Sequence, residues 1–222
     1  RNITLREALS TSTNTENSLV VNRVVFSRCT SIELSQWLWD GAMPLPGNGG
    51  SFLQIHSIRS SIRMQNFRVI RSSNAMIASS DYTFIAIDTD PDIFPGDFVA
   101  FLHDFTIVDW NFQGSPLTAL VVRNIASFEL SNVYFHNIYT NSQTLLLFQN
   151  LARSAAFSNI TLSRCSGTLQ ISDTQLVNIS NIYISDASSS KPLILLAVAH
   201  LINVQNVTAK GSSAGILAIQ QA

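Results

Sequence analysis

Charged side chains are scarce in this chain of 222 residues. Only 12% of the residues are Asp, Glu, Lys or Arg, about half of the roughly 25% that is usual in globular domains. The formal net charge is −1, and Lys191 and Lys210 are the only lysines. The chain therefore lacks the basic field that neutralises phosphates, and nucleic acid is excluded as an expected partner.

Long apolar runs and cysteines are also few. The run PLILLAVAHLINV is interrupted by His200 and Asn203 and is shorter than the roughly 20 residues that span a bilayer, so no membrane span is predicted. The two cysteines, Cys29 and Cys165, lie in similar segments, VVFSRCTS and ITLSRCSG. Matching positions on different repeats would lie too far apart for a disulfide, so we expect reduced thiols in the core, with intermolecular pairing as the alternative.

A repeat is what the sequence has in abundance. An apolar residue, a polar residue, Asn and an alternating apolar pair recur as LSNVYF, FSNITL, ISNIYI and VQNVTA, with their asparagines 27, 22 and 25 residues apart. Earlier copies are spaced more widely, and in LHDFTI an Asp replaces the Asn. The column defined in this way consists of Asn22, Asn66, Asp104, Asn132, Asn159, Asn181 and Asn206.

The repeat predicts strands that turn at each asparagine. A second set of apolar runs, among them ALVV, LLLF and LILL, precedes the asparagine of each later copy, which leaves room for about three short strands per copy and none for a helical hairpin. Apolar residues occupy even offsets before the asparagine and odd offsets after it, so the chain must reverse its faces there. Asn adopts the left-handed αL conformation cheaply. Each asparagine is therefore predicted to form a corner, and its amide to join a hydrogen-bonded ladder along the stack.

This pattern resembles the right-handed parallel β-helix of the pectin-lyase-like superfamily, in its surface or adhesin-like, non-catalytic type. The resemblance runs from Ser18 to the end of the sequence. It implies an all-β fold, a right-handed parallel β-helix (solenoid) of about seven to eight coils with an Asn ladder. The chain is accordingly divided into an N-terminal cap at 1–17 and a parallel β-helix at 18–222. An all-β sandwich with accidental Asn repeats is the alternative.

Each end of the predicted stack needs a cover. In NITLREALS, Thr4 and Glu7 have the spacing of a capping box, and Leu5, Ala8 and Leu9 share one helical face, which predicts a short N-terminal capping helix. Similar TLREA openings are found in bacterial surface β-helices. The segment GILAIQQA stops inside a repeat, so we expect the C-terminal coil to be covered by more of a longer protein, by a second subunit, or by both.

The segment DTDPDIFPGD is the densest acidic stretch. Alternating carboxylates can bind a hard cation such as Ca²⁺, which makes Asp88, Asp90, Asp92 and Asp97 the candidate metal ligands and Ca²⁺ the only cofactor to consider. The alternative is a solvated turn built by the prolines and glycine of the same loop.

The sequence shows no catalytic constellation. Glycoside hydrolysis needs two carboxyl groups held close together, whereas residues 118–222 contain only Glu129, Asp173 and Asp186 as acids. The four histidines are scattered without the spacing of metal ligands. We therefore expect no enzymatic activity, with a β-helix polysaccharide lyase or glycoside hydrolase, using the acidic loop and Arg68, as the alternative.

Two tryptophans and two sequons remain as candidate sites. Trp37 and Trp39 in SQWLWDG have the same parity in a strand and could stack on sugar rings or anchor a protein, or simply cover the first coil. Asn2 and Asn178 are candidate N-glycosylation sites, whereas the sequons at Asn159 and Asn206 belong to the predicted ladder.

These features together predict an extracellular or cell-surface module with a structural or adhesive role. It would be a filament subunit or a segment of a larger surface protein, associating with itself or with neighbouring subunits through its C-terminal coil. A non-catalytic module that binds glycans is the further alternative.

Overall fold

The structure, a computed structural model, describes residues 2–6, 9–12, 24–41, 50–70, 82–89, 98–112, 117–140 and 142–220. This part of the chain is all-β, and its strands form one sheet in which neighbouring strands are parallel. The strands are β1 Asn2–Arg6, β2 Leu9–Ser12, β3 Val24–Ser27, β4 Ser31–Gly41, β5 Gly50–His56, β6 Ser61–Ile70, β7 Tyr82–Asp88, β8 Val99–Phe112, β9 Leu117–Thr140, β10 Thr144–Cys165, β11 Thr168–Ser185, β12 Ile194–Lys210 and β13 Leu217–Gln220.

The strands are stacked in tiers along the chain. On one side, β9 pairs with β7 through its first part and with β8 through its second part, so β7 and β8 make up one tier. In the same way β3 and β4 stack on β5 and β6, while β9, β10, β11 and β12 each form a tier alone. This arrangement is compatible with a β-solenoid and confirms the all-β, parallel architecture predicted from the repeat.

Three corners bend the chain of the longer tiers. Each corner is a column of residues in register with positive φ, the region that non-glycine residues rarely enter. The first corner comprises Arg28, Ser57, Asn124, Asn150, Asp173 and Val198. The second comprises Gln36, Asn66, Asp104, Asn132, Asn159, Asn181 and Asn206. The third comprises Asp109, Asn137, Arg164, Asp186 and Gly211.

The core lies inside the stack and follows the reversal of faces that the sequence predicts. Leu130, two positions before the second corner, and Val133, one position after it, are both buried. A straight strand would place these two positions on opposite faces. The αL residue between them rotates the chain, so that apolar side chains on both sides of the corner reach one continuous core.

Aromatic rings fill the core of the earlier tiers. The Trp37 ring stacks on Phe67 with centroids 5.2 Å apart, and Phe67 packs edge-on against Phe105 at 5.8 Å. Phe105 in turn contacts Phe135 of the next tier at 5.1 Å. Each ring thus bridges neighbouring tiers, in the edge-to-face and stacked arrangements that aromatic pairs prefer.

The predicted N-terminal helix is wrong. Residues 2–6 and 9–12 form strands β1 and β2, and both pair in parallel with β4. A helix of about two turns is marginal in water, and it cannot supply the hydrogen bonds that the backbone edge of β4 requires. The alternation of Ile3 and Leu5 with polar neighbours carried the strand signal, which the apparent capping box obscured.

One alignment made from the repeat is corrected by the register, and another lies outside the described residues. The latter is the ladder position of Asn22; in the tier of β4 the second corner is Gln36. The corrected alignment is that of the similar segments around the cysteines, which belong to different places. Arg28, before Cys29, is at the first corner, whereas Arg164, before Cys165, is at the third.

Candidate functional site

The second corner carries a ladder of amide side chains. Asn206 donates from Nδ2 to Oδ1 of Asn181 at 3.0 Å, and Asn181 donates to Asn159 at 3.1 Å. Asn159 donates to Asn132 at 3.1 Å, and Asn132 donates to Asp104 at 3.0 Å. Asn66 has the same backbone conformation, with φ 55°. Asn suits this column because it tolerates αL and because its amide both donates and accepts.

The first and third corners carry shorter ladders that the sequence reasoning missed. Asn150 donates to Asn124 at 3.0 Å, and Asn124 donates to Asp88 at 2.8 Å. At the third corner, Asn137 donates to Asp109 at 2.8 Å. The sequence signal for the first corner is the asparagine that closely follows the first apolar run of a repeat, as in VVRN and LFQN. These short ladders were hard to recognise because the column changes identity after two or three tiers.

All three ladders begin on an aspartate in the tier of β7 and β8. Asp88, Asp104 and Asp109 each accept a hydrogen bond from an asparagine of β9. A carboxylate only accepts, so the amides above it all point their NH₂ groups toward the earlier tier. This tier is therefore where the regular ladders of the later tiers begin.

The acidic stretch that suggested a Ca²⁺ site is described only at its start. Asp88 uses Oδ1 to accept from Asn124, whereas Asp90, Asp92 and Asp97 lie outside the described residues. Within the part of the chain that the structure describes, no three His, Cys, Asp or Glu side chains are grouped so that they could hold a metal ion. Arg68 is in register with Leu38 and Thr106, a different column from that of Asp88.

The two tryptophans proposed to bind a glycan lie in the core. Trp37 is 7% exposed and Trp39 is 3% exposed. Trp39 packs edge-on against Phe52 with centroids 4.6 Å apart. Neither ring can stack on a sugar from solvent, so glycan binding through these residues is wrong and their role is to cover the first tiers from inside.

One histidine meets a hydroxyl at the second corner. His103 Nδ1 and Ser131 Oγ form a hydrogen bond between adjacent tiers, and the His103 ring stacks on Phe101. A Ser–His pair can share a proton. The carboxylate next to it, Asp104, instead accepts from Asn132 in the ladder, so this pair fits a structural position at the corner.

Both cysteines are free thiols in the core. Burial raises the pKa of the Cys165 thiol from 9.0 to about 12, partly offset by its hydrogen bonds to backbone carbonyls. The thiolate is the reactive form, so Cys165 is an inert packing group at neutral pH.

Two tyrosines stand out on the outer side of the segment between the second and third corners. Tyr134 is 45% exposed and Tyr183 is 43% exposed. They occupy one outward column, which begins with Leu38 and Arg68 in the earlier tiers. Its later part, here called the tyrosine column, consists of Thr106, Tyr134, Thr161, Tyr183 and Thr208 in successive tiers. The Tyr134 ring lies parallel to that of His136, which widens the aromatic surface.

The candidate glycosylation sites differ in their surroundings. Asn178 lies on an outer face of β11, partly exposed, and its Oδ1 accepts from Asn203 Nδ2 at 2.9 Å. Asn2 lies in β1, and its side chain is outside the described set. Asn159 is hydrogen-bonded in the ladder to both of its neighbours, Asn132 and Asn181. Asn206 is hydrogen-bonded to Asn181. Use of the sequon at Asn178 stays a prediction.

The last tier exposes more apolar surface than the tier before it. Val204 is 37% exposed, whereas Ile179, in register with it, is 1% exposed. Leu201 is 57% exposed, and its register partner Leu176 is partly buried. Among the described residues β12 pairs with β11 along most of its length, but with β13 only through Ile194–Ala197. The remaining edge of β12 therefore presents both backbone groups and apolar side chains.

The described residues include no helix with the length and apolarity needed to cross a membrane. Comparison of the chain with protein-family models, with curated proteins and with solved structures found no match.

Proposed function

We propose that this chain is a right-handed parallel β-helix of the pectin-lyase-like type and serves as an extracellular structural or adhesive module. It would be a filament subunit or a segment of a larger surface protein. The scarcity of charge, the sequon at Asn178 and the continuous parallel stack support this proposal.

The continuous parallel stack with its corner ladder is the observation that carries the structural role. The part of β12 that β13 does not cover is a template for another strand, of the same chain or of another. The second-corner ladder supports the same role, since Asn206 donates to Asn181 and its side-chain Oδ1 is of the kind that accepts in every earlier step of the ladder. A further tier with an asparagine at its corner would continue the ladder, bury Val204 as β12 buries Ile179, and cover Leu201 in part.

The proposal is tested by measuring association of the purified chain. We expect sedimentation velocity to show concentration-dependent growth and negative-stain electron microscopy to show threads with an axial repeat. The double variant Leu201→Glu/Val204→Glu should remain monomeric because it places charges in the stacking surface. In secreted material, intact mass beyond the 24.4 kDa polypeptide would report glycans.

The matched control is Tyr139→Glu. Tyr139 is also exposed, at 38%, but it lies on β9, which is paired on both sides, with β8 and with β10, and so is away from both ends of the stack. Its variant should associate like the parent chain. A parent chain that stays monomeric at every soluble concentration, or a double variant that associates as strongly as the parent, would contradict end-to-end stacking.

A further inference from the structure

The tyrosine column forms a regular aromatic surface on one outer face. Tyr134 and Tyr183 are separated by one tier, which carries Thr161 at the same position. Their sequence neighbours Val133, Phe135, Ile182 and Ile184 are buried. By strand alternation the tyrosine rings point outward, and their exposed fractions agree with this direction.

The spacing of the two rings is set by the stack. Adjacent parallel strands lie about 4.8 Å apart, so two tyrosines that are two tiers apart are separated by about 10 Å along the stack. One tier corresponds to about the length of one pyranose unit. In a β-1,4-linked chain each sugar is turned over relative to the last, so equivalent sugar faces recur at every second unit. Rings at every second tier match that recurrence.

The face around the two tyrosines is neutral over four tiers, and the nearest charges in its columns are Arg68 of β6 and Lys210 of β12. Beside the tyrosine column runs a second outward column that contains His136, Ser163 and Ser185. The Ser185 hydroxyl donates to that of Ser163 at 3.0 Å. From the tier of β8 to that of β11 the two columns contain hydroxyl, aromatic, aliphatic and imidazole groups, and no carboxylate, lysine or arginine.

We propose that this face binds a neutral, linear, β-1,4-linked polysaccharide that lies along the stack. Tyr134 and Tyr183 stack on every second sugar ring, as aromatic side chains do with flat partly apolar partners. Thr161, between them, and Ser163, both partly exposed, meet the sugar hydroxyls, whereas Ser185 is buried and holds Ser163 through its hydrogen bond. The inference deepens the proposed adhesive function and rests on it, because an extracellular module is the one that would meet such a polymer.

Soluble hexasaccharides test the proposal on the purified chain. Cellohexaose and chitohexaose are titrated by calorimetry, with the flexible α-linked polymer dextran as the comparison ligand. We expect one or both hexasaccharides to bind and dextran not to bind. Tyr134→Ala/Tyr183→Ala should weaken binding about tenfold or more. Tyr139→Ala, which truncates another exposed tyrosine on the other side of the third corner, should leave it unchanged.

A variant that exchanges a threonine and a tyrosine between adjacent tiers tests the spacing of the two rings. Thr161→Tyr/Tyr183→Thr keeps the same residues but places the two rings in adjacent tiers, so it should bind about tenfold more weakly than the parent. Absence of binding to both hexasaccharides would overturn the proposal, as would equal binding of dextran or equal affinity of the swapped variant. Circular dichroism establishes that each variant retains the parent's strand content.

The same samples separate this inference from the stacking proposal. Sedimentation of the tyrosine variants should match that of the parent, because the tyrosine column does not lie on the edge of β12. A parent chain that associates but binds neither hexasaccharide would remove only the glycan inference. Binding by a chain that stays monomeric would remove only the filament role.

Discussion

The two ends of the stack hold the same geometry by different means. In the N-terminal region, residues 24–112, the core position after the second corner is aromatic, whereas in the C-terminal region, residues 117–210, it is aliphatic. The column reads Trp37, Phe67, Phe105, Val133, Ile160, Ile182 and Val207. In the N-terminal region large rings of adjacent tiers pack against one another. In the C-terminal region smaller aliphatic side chains occupy the same position in every tier.

The corners change in the opposite direction. In the N-terminal region they are occupied by residues such as Arg28, Gln36 and Ser57, and among the described residues no ladder bond joins Gln36 to Asn66. In the C-terminal region the second corner is Asn in every tier, each bonded to the last. The comparison indicates that interlocked rings can replace ladder bonds where the repeat is irregular.

The largest effect should come from the aromatic column. Phe67→Ala removes a fully buried ring that contacts Trp37, Phe84 and Phe105, so the free energy of unfolding should fall by about 3–5 kcal/mol. Ile182→Val, at the same column in the C-terminal region, should lower it by about 0.5–1.5 kcal/mol. Urea denaturation measures both, and equal losses would break the contrast between the regions.

The ladder should show the reverse contrast. Asn159→Ala removes bonds to Asn132 and Asn181 and forces alanine into αL, so a loss of about 2–3 kcal/mol is expected. Asn159→Gly avoids the backbone strain and should lose about 1–2 kcal/mol from the bonds alone. Gln36→Gly should change the stability by less than about 0.5 kcal/mol. A large loss at Gln36 would show that ladder bonds matter equally in both regions.

The smallest effect at ordinary pH comes from Cys165, at the third corner of the C-terminal region. Its pKa in the folded chain is about 12, above the 9.0 of an ordinary thiol, so the folded state favours the neutral thiol. The stability it provides is complete below pH 9 and is lost as the pH rises toward 12, by about 1.4 kcal/mol per unit. The free energy of unfolding of the parent and of Cys165→Ala is measured by urea denaturation between pH 8 and about 10.5. We expect it to fall more steeply with pH in the parent, and the same slope in both proteins would contradict the prediction.

The sequence predicts the corners of the C-terminal region better than those of the N-terminal region. In the C-terminal region, the corners at Asn132, Asn159, Asn181 and Asn206 were recognisable because the αL preference of Asn and the alternation around it are local properties. In the N-terminal region the chain runs through residues 42–49, 71–81 and 90–97 between its strands, so the period is lost. The corner at Gln36 in the tier of β4 also carries no repeat signal, because its segment LSQWLW has Gln in place of Asn.

The candidate surface was the least predictable part. Trp37 and Trp39 had the composition of a binding site, but the corner at Gln36 turns Trp37 onto the core face, and both rings pack there. Tyr134 and Tyr183 carry no local sequence signal, because their regular spacing exists only across tiers. Sequence separation does not show that one tier carries a threonine between them, since the tiers differ in length.

By itself the sequence determined that this chain is built of parallel strands that turn at asparagines, because backbone preference and alternation act within a few residues. Only the tertiary structure decided that there are three corners rather than one, that the N-terminal segment is a strand, and which outward residues share a column. The physical reason is register: a strand pairs with whatever edge lies beside it, and the unpaired edge of β4 outweighs the weak helical preference of residues 2–6.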